Sequence, residues 1–419
     1  MQTTLSPKRV NAVLEHVVET APSSRAGDAR PVHVVYGGAH LFTAETHAKL
    51  GKIALASMET HAKDARAFAA LVGLADATRA DDLVTRVKKK LEREPVEAYC
   101  IDFEDGYGPR PDEEEDADAV RTAAELAKMR DEERTLSEAS DEAGRAPVVG
   151  IRVKAVGRRA ARTLDLFVTT LAKARSGKLP SGFSVTLPKV RTAAEVSALA
   201  LLLDMLEEAL GTARGGIRVE LMVETHEALE SGALAAMVAA ARGRCSAAHL
   251  GAYDLTASVG VTASDQRMDN PICDAARVAM QIALAKSGVA VVDGATTVLP
   301  VGKDTSAVHD AWRLHASNVR RALAFGIGAG WDLHPAQLPA RYGALYAYFL
   351  GERDAMAQRL AGFIAKSKQA TRAGQVFDDA ATGRGLAAFF LRGLACGALF
   401  DDDLAGVGLT RAELASLGG

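Results

Sequence analysis

The chain has 419 residues, 48% of them hydrophobic and 25% charged, an ordinary soluble globular composition. At this length roughly 75% of the unfolded surface can be buried, so a large core needs no staples. The formal net charge is −3 with the signs interspersed, which argues against a nucleic-acid partner, because phosphate binding needs a concentrated basic face. Cys100, Cys245, Cys273 and Cys396 are scattered without a CxxC pair. That excludes thiolate zinc and a disulfide framework, and it fits a reducing compartment. The first 25 residues lack an apolar leader core, and no apolar run reaches membrane-spanning length. A soluble, cytoplasmic protein with no membrane partner is expected.

In chain order, residues 1–30 read as an N-terminal helix followed by the linker "PSSRAGDARP". From residue 31 short apolar runs alternate with longer helical patterns. The strand candidates are "VHVVYGG", "EAYCIDFED", "VVGIRVKA", "FSVTLPKV", "IRVELMVET", "AHLGAYDL", "VAVVDGAT" and "WDLHPAQ". Stretches with 3.6-residue periodicity, such as "TAAEVSALALLLDMLEEALG", lie between them. Eight strand–helix alternations predict an α/β fold, a TIM (β/α)8 barrel over 31–340. Residues 110–147 form a long charged crossover whose acidic run reads as a solvated helix start. Residues 341–419 read as a helical C-terminal extension. "GIGAG" at 326–330 is not GxGxxG and gives no dinucleotide site.

Two strand candidates end in acids. Glu224 closes "LMVET" and Asp254 closes "GAYDL", 30 positions apart, about one strand-to-strand unit. This spacing predicts neighbours at the C-terminal mouth, where barrel active sites are built. Either acid alone is well explained as a helix cap. Two converging carboxylates call for a cation, and Mg²⁺ or Mn²⁺ suits hard oxygen ligands. In "CIDFEDGYG", Asp102 and Glu104 alternate onto one face and Asp105 lies at the turn, where a solvated strand end is an equal reading. The third and fourth strands end in cations, Arg152 with Lys154, and Lys189. Arg grips a carboxylate with a fork and Lys supplies a point charge, or both merely neutralise the acids.

The motifs "IDFED", "IRVK", "LPKV", "MVET", "GAYDL", "VVDG" and "WDLHPAQ", in that order over about 31–340, resemble the citrate lyase β-subunit and malyl-CoA lyase group of the HpcH/HpaI aldolase superfamily. The resemblance implies a β/α barrel with Mg²⁺ on Glu224 and Asp254. It implies that Arg152 holds an oxoacid and stabilises its enolate, supported by Glu104 and Asp105, with His334 largely structural. It also implies a homo-oligomer, with the extension covering a neighbouring subunit's site and Asp378 and Asp379 as its candidate acids. The chain departs from the group where CoA users carry an "RSxLxVPG"-like stretch and this sequence has "HVVYGGAHLFTAE", which counts against a CoA thioester. Lys154 stands where relatives commonly have Asn. His40 and His226 read as a loop residue and a helix first-turn residue.

The expected activity is therefore an Mg²⁺-dependent carbon–carbon lyase or aldolase acting on a small 2-oxo acid through an enolate. Arg152, Glu104, Asp105 and Lys189 are its candidate catalytic residues, and Glu224 and Asp254 its metal ligands. A CoA-thioester lyase or synthase is the nearest alternative, and a non-catalytic metabolite-binding barrel the next.

Overall fold

The computed structural model describes residues 30–139, 147–373 and 380–418; the expected N-terminal helix, Asp378 and Asp379 lie outside them. Eight parallel strands close into one barrel in sequence order, with β1 also pairing β8. They are β1 (His33–Gly38), β2 (Ala98–Asp102), β3 (Val148–Arg152), β4 (Ser184–Leu187), β5 (Arg218–Val223), β6 (Cys245–Leu250), β7 (Ala290–Ala295) and β8 (Ala329–Asp332). This is the TIM barrel the eight alternations predict. Among the described residues, no helix is long and apolar enough to cross a membrane.

The period-2 geometry of a strand divides its side chains between two environments. On β5, Val219, Leu221 and Val223 join the core under the surrounding helices, while Met222 joins a separate cluster inside the barrel with Tyr36, Cys100 and Trp331. By the same alternation Glu220 points inward below Met222. The residues that end β2 and β3, Asp102 and Arg152, are register partners and lie at the barrel mouth.

The charged crossover is the 28-residue helix Asp112–Ala139. Its acidic start is only partly solvated: Glu115 is fully buried, accepts from Thr163 Oγ1 at 2.5 Å and from Lys154 Nζ, and lies 3.3 Å from Arg159 Nε. Sequence alone cannot separate this inward position from its exposed neighbours, because the partners come from the next βα unit. Arg121 of this helix donates to the carbonyls of Ala39 and Phe42, each at 2.7 Å. It also pairs with Asp118, which accepts the Tyr107 hydroxyl at 2.8 Å. The loops following β1 and β2 are therefore both tied to the crossover.

The helix Leu338–Ala373 runs without a break across the expected domain boundary at 340/341. Its first turns bury Leu338, Tyr342, Tyr346 and Leu350 against the barrel, so it serves as the eighth barrel helix before continuing outward. Tyr342 donates to the Pro95 carbonyl at 3.1 Å, Tyr346 to the Cys396 carbonyl at 3.3 Å, and Arg392 to the Gly326 carbonyl at 3.2 Å. Pro95 and Gly326 precede β2 and β8, which places these contacts at the N-terminal ends of the strands, opposite the mouth.

Removing the buried acceptor at Glu115 deprives Lys154 of its carboxylate and Arg159 and Thr163 of one partner each. Glu115→Ala is expected to lower the unfolding free energy by about 2–4 kcal/mol in urea titrations. Glu114→Ala, at a half-exposed neighbouring position, should change it by less than about 0.5 kcal/mol.

Candidate active site

The mouth is organised by one buried ion pair. Arg152 donates through Nε and Nη2 to the two Asp102 oxygens at 2.7 and 2.5 Å, and both residues are almost fully buried. Asp102 also accepts the backbone N–H groups of Glu104 at 2.9 Å and Gly106 at 2.7 Å, so the loop after β2 winds around its carboxylate. Burial works against the Arg152 charge, but the hydrogen bonds and charge of Asp102 outweigh it and raise the guanidinium pKa. Below it lie Tyr36 and Trp331, stacked with ring centroids 4.5 Å apart and centred 5.2 and 5.9 Å from the Arg152 guanidinium carbon.

One two-point edge of Arg152 is therefore occupied within the protein. The Nε–Nη2 edge belongs to Asp102, and Nη1 faces Glu104 Oε2 at 3.2 Å and Asp105 Oδ2 at 3.8 Å. The Nη1–Nη2 edge carries the N–H groups that Asp102 does not take, beside a fixed positive charge. Asp102 stands in "CIDFEDGYG", where the resemblance points to Glu104 and Asp105 instead. The strand ends at Asp102, and the other two acids stand in the following turn.

Lys189 completes the group. Its ammonium lies 2.6 Å from Glu104 Oε1 and 3.3 Å from Asp105 Oδ1, so Glu104 bridges Arg152 and Lys189. Burial raises the Glu104 pKa despite these cations. Asp105 shifts the other way: a hydrogen bond with Glu104 and both cations outweigh its burial and hold its pKa down. Of the two, Glu104 is the weaker acid. Lys154 is turned out of this pocket by Glu115.

Glu224 and Asp254 do not stand at matched register. Glu224 follows β5 directly and is buried, whereas Asp254 is exposed in the first turn of the helix Ala252–Ser258, four residues beyond β6. Val223 pairs with Leu250, so the residue level with Glu224 is Gly251. A Cβ there would lie 2.4 Å from the Glu224 Cβ, which only glycine permits. The acids still sense each other. Burial first, and then the Asp254 charge, push Glu224 up to about 8 against the backbone hydrogen bond it accepts from Lys189 at 2.5 Å. Among the described residues no group of three or more His, Cys, Asp or Glu side chains is placed to hold a metal ion. Two hard carboxylates, one of them with an oxygen free of protein donors, nevertheless fit Mg²⁺ or Mn²⁺, which retain water and substrate in the remaining positions.

A polar chain inside the barrel is made of residues that no sequence motif marks as functional. Trp331 Nε1 donates to His249 Nδ1 at 3.0 Å, which places the imidazole proton on Nε2, 3.2 Å from Glu220 Oε2. Thr186 donates to the same Glu220 oxygen at 3.0 Å. The alternating positions of these strands were the available signal, since barrel interiors are otherwise filled by aliphatic layers. The histidines singled out from the sequence are peripheral: His40 is exposed beside Tyr107, His226 is half-exposed beside Glu227, and His334 caps its own turn through Ala336 N–H.

The family model described as "Domain of unknown function (DUF6986)" matches residues 11–418. No curated protein matches the chain. Among solved structures, a citrate lyase from Burkholderia xenovorans LB400 superposes with a TM-score of 0.60 at 18% identity, covering 93% of this chain and all of that one. A Haloferax volcanii malate synthase superposes with a TM-score of 0.48 at 13% identity in its lead(II) complex, covering 93% of this chain and 99% of that one. Its magnesium/glyoxylate complex gives 0.46 at 13% identity over 75% of each chain. The citrate lyase likeness establishes the barrel fold, and the malate synthase likenesses are too distant to support any argument.

The Glu224 shift has a definite sign. An unfolded Glu loses its proton near 4.5, while the folded, metal-free protein keeps it to about 8. Stability from this group is therefore full below pH 4.5 and falls as pH rises toward 8. Urea titrations should show wild type losing roughly 4 kcal/mol relative to Glu224→Gln between pH 5 and 8, as an upper bound. Parallel pH profiles for the two proteins would show that Glu224 does not titrate this way.

Proposed function

The chain belongs to the family described as "Domain of unknown function (DUF6986)", and we propose that it is a divalent-cation-dependent carbon–carbon lyase or aldolase acting on a small 2-oxo acid. The observation that carries this reading is Glu224. A buried carboxyl pushed up to about 8, at the mouth of a barrel and facing a second acid, is poorly stable as an anion without a cation. Glu224 and Asp254 would hold Mg²⁺ or Mn²⁺, and the ion would supply a Lewis acid for the keto oxygen of the substrate.

The remaining residues suit the charge changes of such a reaction. Arg152, immobilised by Asp102 and set over the Tyr36–Trp331 floor, is a preorganised positive charge for the substrate carboxylate and for an enolate oxygen formed as the bond breaks. Glu104, whose pKa is raised by burial, can release a proton to the enolate carbon or take one from the substrate. Lys189 keeps Glu104 within reach of Arg152. This site carries far more organised charge than a passive metabolite-binding barrel requires.

The test is turnover of oxaloacetate and of aldol adducts of pyruvate by the purified protein, with and without Mg²⁺. Arg152→Lys keeps a charge but loses the two-point lock on Asp102. Its kcat/KM is expected to fall at least about 100-fold, with Mg²⁺ affinity by calorimetry within roughly threefold of wild type. Near-normal kinetics in that variant, or wild-type turnover indifferent to Mg²⁺, would remove the reading.

A further inference from the structure

We infer that Lys189 is a positioning residue with two separable functions: its backbone N–H aims the Glu224 carboxylate, and its ammonium acts as a built-in cation that competes with a divalent ion for the acidic mouth. The inference rests on the proposed cation site at Glu224 and Asp254 and concerns how the chain itself prepares that site.

The first observation is conformational. Lys189 has φ of +50°, a left-handed backbone that residues with a side chain adopt at a cost. Among the described residues, two other non-glycine positions share this sign, Ser176 and Arg242. Both lie just beyond helix ends, after Arg158–Ala174 and Ala233–Ala240, where a left-handed residue is a common terminator. Lys189 follows a strand, β4, where no such habit applies, so its cost must be offset by what the conformation holds in place.

What it holds is a reciprocal stitch between two strand ends. Lys189 N–H donates to Glu224 Oε1 at 2.5 Å, and Thr225 Oγ1 donates back to the Val190 carbonyl at 3.0 Å. Consecutive residues after β4 thus grip consecutive residues after β5, and Glu224 is fixed from one side by this N–H and from the other by Gly251. One Glu224 oxygen is committed and the other is left to a ligand.

The second function belongs to the side chain. Five carboxylates gather at the mouth (Asp102, Glu104, Asp105, Glu224 and Asp254) against two cations, Arg152 and Lys189. Arg152 is locked on Asp102 and also faces Glu104 and Asp105, whereas the Lys189 ammonium is the more exposed of the two cations. It touches Glu104 and Asp105, and its charge is coupled to Asp254, one of the two acids of the cation site. A positive charge held there stabilises the metal-free mouth and repels an incoming Mg²⁺.

Four full-length proteins separate the two parts: wild type, Lys189→Gln, Lys189→Arg and Lys189→Gly. Calorimetric titration with MgCl2 at pH 7.5 is expected to give roughly fivefold tighter binding for Lys189→Gln, from the loss of one nearby positive charge. Lys189→Arg should return to within about twofold of wild type. Lys189→Gly and Lys189→Gln both lack the ammonium, so their difference isolates the backbone. The Gly variant should melt about 1–2 °C above the Gln variant without metal and bind Mg²⁺ as tightly. Unchanged or weaker Mg²⁺ binding in Lys189→Gln overturns the competing cation. A Gly variant that melts no higher than the Gln variant, or binds Mg²⁺ more weakly, overturns the aimed backbone. Neither result bears on oxoacid turnover, so the lyase reading would survive both. Wild-type protein that binds neither Mg²⁺ nor Mn²⁺ would instead remove the cation site itself, and this inference with it.

Discussion

Everything at the barrel mouth is arranged around the buried pair of Asp102 and Arg152. Two register partners at the ends of adjacent strands carry opposite charges into a region almost closed to water. Such a pair gains little net stability over apolar residues of the same size, yet removing one partner leaves a stranded buried charge that costs several kcal/mol. Its contribution is therefore geometrical. With four donors converging on Asp102, its carboxylate cannot rotate, and Arg152 cannot change rotamer without abandoning it. The orientation of Nη1, the placement of Glu104 and Asp105, and the aromatic floor all follow from that lock.

A second constraint follows from the first. Because Arg152 is locked on Asp102 and only Lys189 joins it, the remaining acids lack a full complement of cations. The consequences differ with depth: Glu224, deepest, is pushed up to about 8, Glu104 is raised less, and Asp105, half-exposed and flanked by both cations, is held down. Side chains of one chemical type thus span a range of proton affinities across one mouth, as acid–base chemistry at neutral pH requires. A folding-optimised surface would spread these acids apart, so their crowding here is an argument for chemistry independent of any likeness to other proteins.

The barrel was legible in the sequence because its evidence is local and repeated. Six of the eight strand candidates contain the observed strands and two, at β6 and β8, overlap only their C-terminal ends, since apolar runs bounded by helical periodicity need no knowledge of tertiary partners. Arg152, Glu104, Lys189 and Glu224 were legible for a related reason: a charge at the end of an apolar run is conspicuous. The errors lie where register or partner choice decides. Asp254 sits a turn beyond its strand, and Gly251 takes the position level with Glu224, because a spacing of 30 residues does not reveal where β6 stops. The Asp102 lock on Arg152 was hidden because alternation places Asp102 and Glu104 on one face and cannot say which the arginine will choose. The Glu220–His249–Trp331 chain joins three strands that no sequence window spans together.

The two ends of the barrel carry different burdens, and the appended segments follow that division. The crossover Asp112–Ala139 binds the loops after β1 and β2 through Arg121 and Asp118, so an element outside the minimal barrel fixes the rim of the mouth. The described part of the C-terminal extension does the opposite, packing through Tyr346 and Arg392 at the N-terminal ends of the strands. Within one chain its described residues stabilise the far end of the barrel. Mouth residues are then free to keep the conflicts chemistry needs, a left-handed lysine and mutually repelling acids among them, because the stability that offsets those conflicts is built into the barrel wall and the opposite end.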